Sequence, residues 1–270
     1  MDTQDAAVVT TAYGERDLLA KVQELLGQRD DTSPLQPDDI PVDQYHSGGR
    51  EAVYRVIEEL NIVPDDRVLD VGSGFGGPAR VIAAHTGATV HGVDITTEYV
   101  DVARWLTEQT GQQDRVHFTN SEIAEFVAAE PFDVALTMHV QMNVEGKSSW
   151  YRSIGEHLRS NGTLAIWEIC STDNSALTWP MPWSVTGDNS FVVTQPELRR
   201  AIENAGFETT TWVDDSAWLK EWFAAAIAAG PGTNPGLSLI DNGLARALNF
   251  AMAFNTGQLS VVRATFRRTT

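Results

Sequence analysis

The chain has 270 residues, 42% of them hydrophobic, and carries 37 acidic against 19 basic side chains for a formal net charge of −18. An acidic balance of this size lacks the basic footprint that nucleic-acid backbones and anionic membranes demand, so neither is an expected partner. The lone cysteine, Cys170, excludes an internal disulfide and any multi-cysteine zinc site.

The acids are scattered and read as a solvated surface. No run of 18 apolar residues suggests a membrane span, and Met1-Asp-Thr-Gln-Asp5 lacks the basic and apolar regions of a signal peptide. A cytoplasmic location is expected.

Taken in chain order, the first periodic segment is Glu15 to Leu26, where Leu18, Leu19, Val22, Leu25 and Leu26 make one apolar helix face and Gly27 closes it. Residues 28–43, rich in Asp, Pro and Gln, read as a linker. A second helix follows Ser47-Gly48-Gly49, with Ala52, Val53, Val56, Ile57 and Leu60 at helical spacing and Ser47 placed to cap it. From there strands at 67–71, 89–93, 115–118, 133–138 and 163–169 alternate with helices near 78–86, 97–110, 121–128 and 147–159. That alternation predicts a parallel sheet covered on both faces. A helix from Pro196 to Ala205, strands at 207–213 and 259–267, and two helices with a turn within 215–254 complete the pattern.

The most informative stretch is Arg67-Val-Leu-Asp-Val-Gly-Ser-Gly-Phe-Gly-Gly77. A buried strand runs into glycines that let a ligand approach main-chain N–H groups at the start of a helix. The spacing Gly72-x-Gly74-x-x-Gly77 fits a dinucleotide fingerprint, which alone is weak evidence. Asp70 would repel a pyrophosphate but suits an ammonium group. Asp94, ending the next strand, can accept hydrogen bonds from ribose hydroxyls. An amino-acid head and a ribose without phosphate describe S-adenosylmethionine. A nicotinamide-dependent oxidoreductase using the same glycines is the alternative, and it leaves Asp70 without work.

The run Val68-Leu-Asp-Val-Gly-Ser-Gly-Phe-Gly-Gly77 resembles the glycine-rich motif of class I S-adenosylmethionine-dependent methyltransferases, in the branch that includes quinone-biosynthesis and small-molecule N- and C-methyltransferases. The resemblance runs from about residue 43 to the C-terminus and is strongest over 43–207. Ser73 stands where the family ordinarily has Cys or Ala. The resemblance implies an α/β fold: a doubly wound, seven-stranded Rossmann-like sheet with the last strand antiparallel and a helical lid. It divides the chain into an N-terminal helix and cofactor-covering segment (1–46) and a methyltransferase domain (47–270), with 215–254 as the lid insertion.

It also implies roles. Gly72, Ser73, Gly74 and Asp70 would hold the amino-acid end of the cofactor, and Asp94 with Ile95 the ribose side. Glu122 and Ile123 would serve the adenine, the acid by accepting its amino group and the apolar side chain by packing on the ring. Gln44 and Tyr45, in the segment that folds over the cofactor, would cover it, and His139 would flank its methionine part. A histidine titrates near neutrality and can act as a general base; His139, His46 and Glu168 are the candidates, in that order. The loop Trp179-Pro-Met-Pro-Trp183 offers a stiff apolar wall for an acceptor.

No His-Glu-x-x-His, Gly-x-Ser-x-Gly or Gly-Lys-Ser/Thr pattern occurs, and no cluster has persuasive metal-ligand spacing, so no metal is expected. Nor does an Asn-Pro-Pro-Tyr signature follow the fourth strand. The chain therefore reads as a methyltransferase acting on a small-molecule metabolite, with a cofactor-binding protein that does not methylate as the reading from another class. A homodimer interface is the competing use of the 215–254 insertion.

Overall fold

The structure is a computed structural model that describes residues 17–27, 35–173, 176–230 and 235–269. Seven strands, β1 (Arg67–Val71), β2 (Thr89–Asp94), β3 (Val116–Asn120), β4 (Phe132–Met138), β5 (Leu158–Ser171), β6 (Phe207–Asp214) and β7 (Leu259–Arg268), form one sheet in the order β3-β2-β1-β4-β5-β7-β6. β1 to β5 pair in parallel, and β7 runs antiparallel between β5 and β6. The described helices are α1 (Leu18–Gly27), α2 (Gly49–Glu59), α3 (Gly77–Thr86), α4 (Thr97–Gln109), α5 (Lys147–His157), α6 (Gln195–Glu203), α7 (Ser216–Ala229) and α8 (Gly243–Asn255).

Strand alternation divides the core between two faces. Val68, Val90, Leu136 and Trp167 are buried under α2, α3, α7 and α8, whereas Leu69, Val71, Ala135 and Ile166 are buried under α5 and α6. A third apolar cluster joins α1 to α4 through Leu18, Val22, Val102 and Leu106, with Val42 and Phe75 between them. The first five strands point their carboxyl ends the same way, which is where open sheets of this kind bind ligands.

Three local expectations give way. Residues 121–128 form no helix: Glu125 and Phe126 N–H both reach the Glu122 carbonyl, one turn and no more. Ile123 and Phe126 both dive into the core while Val127 stays exposed, and His157 Nε2 captures the Ile123 carbonyl at 3.0 Å. An element with that burial pattern has no second helical turn to bury. The fifth strand begins at Leu158, directly after α5, five residues earlier than its apolar run suggests, because Leu158 pairs with Phe132. Ser47 does not cap α2; Gly48 occupies that position with φ 86°, where a Cβ would lie 2.9 Å from the Trp218 ring. Glu15, the expected start of the first helix, lies outside the described residues. Among the described residues no helix is long and apolar enough to cross a membrane.

Candidate active site

The glycine loop closes on itself before it meets any ligand. Gly72 and Ser73 N–H groups both bond to the Val93 carbonyl, tying the loop to β2. Gly72 has φ 75°, and a Cβ there would meet Val140 at 2.5 Å. Gly74 also has positive φ, 53°, but a Cβ on it would meet nothing within 4 Å, so this glycine faces open space. Asp94 Oδ2 accepts from Gly74 N–H and Oδ1 from Thr96 N–H, both at 2.9 Å.

Asp70 is buried, and its Oδ2 has no hydrogen-bond partner; neither has the nearby Ser73 Oγ. Burial, with the Asp94 carboxylate adding to it, pushes Asp70 up to about 7. A buried carboxylate without a partner is costly unless something cationic arrives. An ammonium group fits that requirement, and the open side of Gly74 admits the close approach.

Asp70, Gly72, Ser73, Gly74, Asp94 and Ile95 all line one cavity of about 1190 Å³, joined by Glu122 and Ile123 from the turn after β3. Gln44, Tyr45 and His46 close it from the N-terminal side, and His139 from the end of β4. The sequence-based cofactor residues are thus brought together in a single space. Tyr45 also packs edge-on against Phe75 at 4.7 Å between ring centroids.

What holds the covering segment there is a pair that sequence reasoning missed. Arg80, fully buried on α3, forms an ion pair with Asp43 at 2.8 Å and also donates to the Phe75 and Ala103 carbonyls. Asp43 in turn accepts from Gln44 Nε2 at 3.2 Å, which aims Gln44 Oε1 at His46 Nε2, 2.9 Å away. The visible signal was one arginine inside the otherwise apolar Pro78-Ala-Arg-Val-Ile-Ala83.

The three expected bases differ sharply. Both ring nitrogens of His139 are engaged by Ser47: its backbone N–H donates to Nδ1 at 3.3 Å, and its hydroxyl lies 3.1 Å from Nε2. Burial, and then the neighbouring His46, hold His139 well below its ordinary value. His46 donates from Nε2 to Gln44, leaving Nδ1 3.3 Å from the Ser47 carbonyl, a contact that becomes a hydrogen bond only when Nδ1 gains a proton. Burial lowers His46 to about 4. Glu168 does not line the cavity. Its fully buried carboxylate accepts from Thr137 Oγ1 at 2.6 Å and from the Val140 and Gln141 N–H groups, so it anchors the chain after β4 rather than facing an acceptor. The expectation of Glu168 as a base is corrected accordingly: the strand's pleat turns it inward.

The far half of the cavity is apolar. Met142, Trp183, Phe223, Ile240, Leu244 and Phe250 line it, from the chain after β4, the 179–191 loop and the 215–254 insertion. Trp222 is half-buried and lines it too, and Trp218, also half-buried, packs edge-on against Trp167 at 5.8 Å.

The raised carboxyls carry a pH signature. Asp70 and Glu168 both sit near 7 when folded, the latter also mainly through burial. Between their unfolded values near 4 and that point, these two groups bind more protons in the native state than in the unfolded one, so their contribution to stability falls as pH rises. Below about pH 6.5 the buried histidines His46, His91 and His139, held neutral by desolvation, act in the opposite direction. Thermal melts of the ligand-free protein should therefore show a midpoint that declines from pH 6.5 to 7.5, and S-adenosylhomocysteine, by supplying an ammonium, should stabilise more at the upper end. A stabilisation that shrinks with pH would remove Asp70 from the ligand site.

This sheet, with strand-end acids around a glycine loop, defines the class: a methyltransferase fold of the Rossmann-like kind. The chain belongs to the methyltransferase domain family, whose model matches residues 12–211. Methyltransferase GfsG of Streptomyces halstedii is 31% identical over 134 residues, covering 49% of this chain and 48% of that protein. Phosphoethanolamine N-methyltransferase of Plasmodium falciparum is 28% identical over 130 residues, 47% of this chain and 48% of that one. The chain spans about half the length of these curated relatives. Among solved structures, geranyl diphosphate methyltransferase in complex with its diphosphate and sinefungin superposes with a TM-score of 0.72 at 14% identity, covering 99% of this chain and 100% of that one. The [4+2]-cyclase SpnF superposes with a TM-score of 0.71 at 18% identity, covering 98% and 96%. At these identities the structural likeness concerns the fold.

Proposed function

We propose that this chain binds S-adenosylmethionine and methylates a small-molecule acceptor. The observation that carries the reading is the buried Asp70 carboxylate, its Oδ2 without a hydrogen-bond partner, lining the cavity beside the open side of Gly74. Asp70 would take the ammonium, the Gly72–Gly74 backbone and Ser73 the amino-acid end, and Asp94 the ribose hydroxyls. Ile95, Glu122 and Ile123 would surround the adenine, with Gln44 and Tyr45 covering from above and His139 walling the methionine part. When bound, the cofactor supplies an electrophilic methyl group on a sulfonium. The protein's own task is then to align an acceptor and exclude water.

For an acceptor that must lose a proton, His46 is the base the geometry leaves: its ring lines the cavity and burial keeps it neutral. His139, with both nitrogens engaged, serves as wall and orienting group. The insertion 215–254 acts as a lid over the acceptor, supported by its cavity-lining aromatic residues; use of its outer face as a homodimer contact is settled by size-exclusion chromatography. We place the protein in the cytoplasm, with neither nucleic acid nor membrane as partner.

Calorimetry tests the core of this. S-adenosylhomocysteine should bind and, at a hundred times its dissociation constant, stabilise the fold by about 2.7 kcal/mol. NAD should give no heat, since a pyrophosphate would lie against Asp70. Binding of NAD and not of S-adenosylhomocysteine would overturn the proposal.

A further inference from the structure

Resting on the methyltransferase reading, we infer that the acceptor is a bulky, uncharged hydrophobic molecule presenting a hydroxyl, and that phosphates and carboxylates are excluded. The size comes first. About 1190 Å³ exceeds the roughly 300–1,000 Å³ of pockets built for one ligand. The half lined by cofactor residues therefore leaves a second chamber of substantial size.

That chamber is an aromatic box. Phe250 lies edge-on to Trp183 at 5.5 Å, to Phe223 at 5.5 Å and to His139 at 6.1 Å. Its mouth is apolar as well: Ile227, Leu244 and Leu248 line the cavity although they are 57%, 48% and 48% exposed. Three exposed aliphatic side chains around one opening make an entry for apolar surface, and their exposure is accounted for by what must pass between them.

All but one of the formal charges lining the cavity are negative. Asp43, Asp70, Asp94, Glu122, Glu145 and Asp188 are acidic, and Arg246 is the single Lys or Arg in the lining. Its guanidinium already donates to the Pro182 carbonyl at 3.1 Å. With a formal charge of −18, the whole chain repels an anion before it arrives. An anionic acceptor would enter this chamber without a counter-charge, which burial makes costly.

The polar groups that remain where the aromatic box meets the cofactor half are neutral: His46, Ser47 and His139. With His139 Nδ1 accepting from the Ser47 N–H, its Nε2 carries the proton and donates to the Ser47 hydroxyl, whose own hydrogen is left to donate to an acceptor oxygen. A neutral O–H on an apolar skeleton takes that bond without bringing charge.

The test uses three probes that share one skeleton: 2-naphthol, 2-naphthoate and 2-naphthyl phosphate, titrated calorimetrically into the full chain with and without saturating S-adenosylhomocysteine. The naphthol should bind at least tenfold tighter than either anion. Phe223→Ala should weaken it about tenfold without changing affinity for S-adenosylhomocysteine. Leu248→Lys, at the exposed mouth, should raise affinity for the naphthyl phosphate at least fivefold and should not raise affinity for the naphthol. Equal or tighter binding of either anion to the unmodified protein overturns the inference, as does absence of naphthol binding. No response to Leu248→Lys overturns the placement of the mouth. If S-adenosylhomocysteine gives no heat while naphthol binds selectively, it is the methyltransferase reading that falls.

Discussion

Arg80→Ala should be the most destabilising single change at the site, costing about 3–5 kcal/mol, because it strands the Asp43 carboxylate in a buried position. For a chain of this length that lowers the melting midpoint on the order of 10 °C. Neither side chain of the pair has any exposure, and Arg80 additionally satisfies the Phe75 and Ala103 carbonyls and Thr107 Oγ1. Yet burial pushes Asp43 up and Arg80 down despite their mutual attraction, so the pair is held at a desolvation cost. Asp43→Asn combined with Arg80→Met should therefore be more stable than Arg80→Ala. The same double variant should still lose affinity for S-adenosylhomocysteine, since the charge pair tethers residues 43–47 over the glycine loop. Urea unfolding and calorimetry on the set separate the two effects. Full affinity in a folded double variant would show that the tether does not position the covering segment.

Asp94→Ala is expected to reduce affinity for S-adenosylhomocysteine about a hundredfold or more. One part of the loss is the ribose acceptor, with hydrogen bonds to a charged group contributing roughly 1.5–3 kcal/mol each. The other part is internal: the Gly74 and Thr96 N–H groups lose the carboxylate they now share. From sequence alone the substitution looks clean, leaving the fold intact. The structure makes it a loop mutation as well, so some loss of stability accompanies it. Asp94→Asn should fall between, because its amide oxygen still accepts from one backbone donor while its NH2 opposes the other. Calorimetry paired with thermal melts checks this, and unchanged affinity in Asp94→Ala would break the ribose assignment.

Much of the site was legible in the chain because strand-end residues of a doubly wound sheet converge wherever the alternation of elements is regular. Asp70, Asp94, Glu122 and Ile123 each follow or end a strand, and all line the same cavity. Glu168 fails for a reason of the same geometry. It lies on a strand at the right end of the sheet, but the pleat directs it among Thr137, Val140 and Gln141. A one-residue difference in facing is invisible when the strand is buried on both sides and its sequence does not alternate. The missing helix at 121–128 has a similar origin, since Ile123 and Phe126 satisfy one helical turn as well as a buried bend.

By itself, then, the sequence determined the alternation of strands and helices, the glycine loop with its two acids, the strongly acidic net charge and the aromatic wealth of the 215–254 insertion. These are local or compositional properties: periodicity, turn chemistry and net charge need no knowledge of distant contacts. Only the tertiary structure decided that Arg80 holds Asp43 across 37 positions, that Ser47 occupies both nitrogens of His139, 92 positions away, and that Phe250 closes a box with Trp183 and Phe223. Each of these is a pairing between segments whose separation in sequence carries no pattern. Their geometry is set by how the helices pack on the sheet, and that packing is where a shared scaffold becomes a particular acceptor chamber.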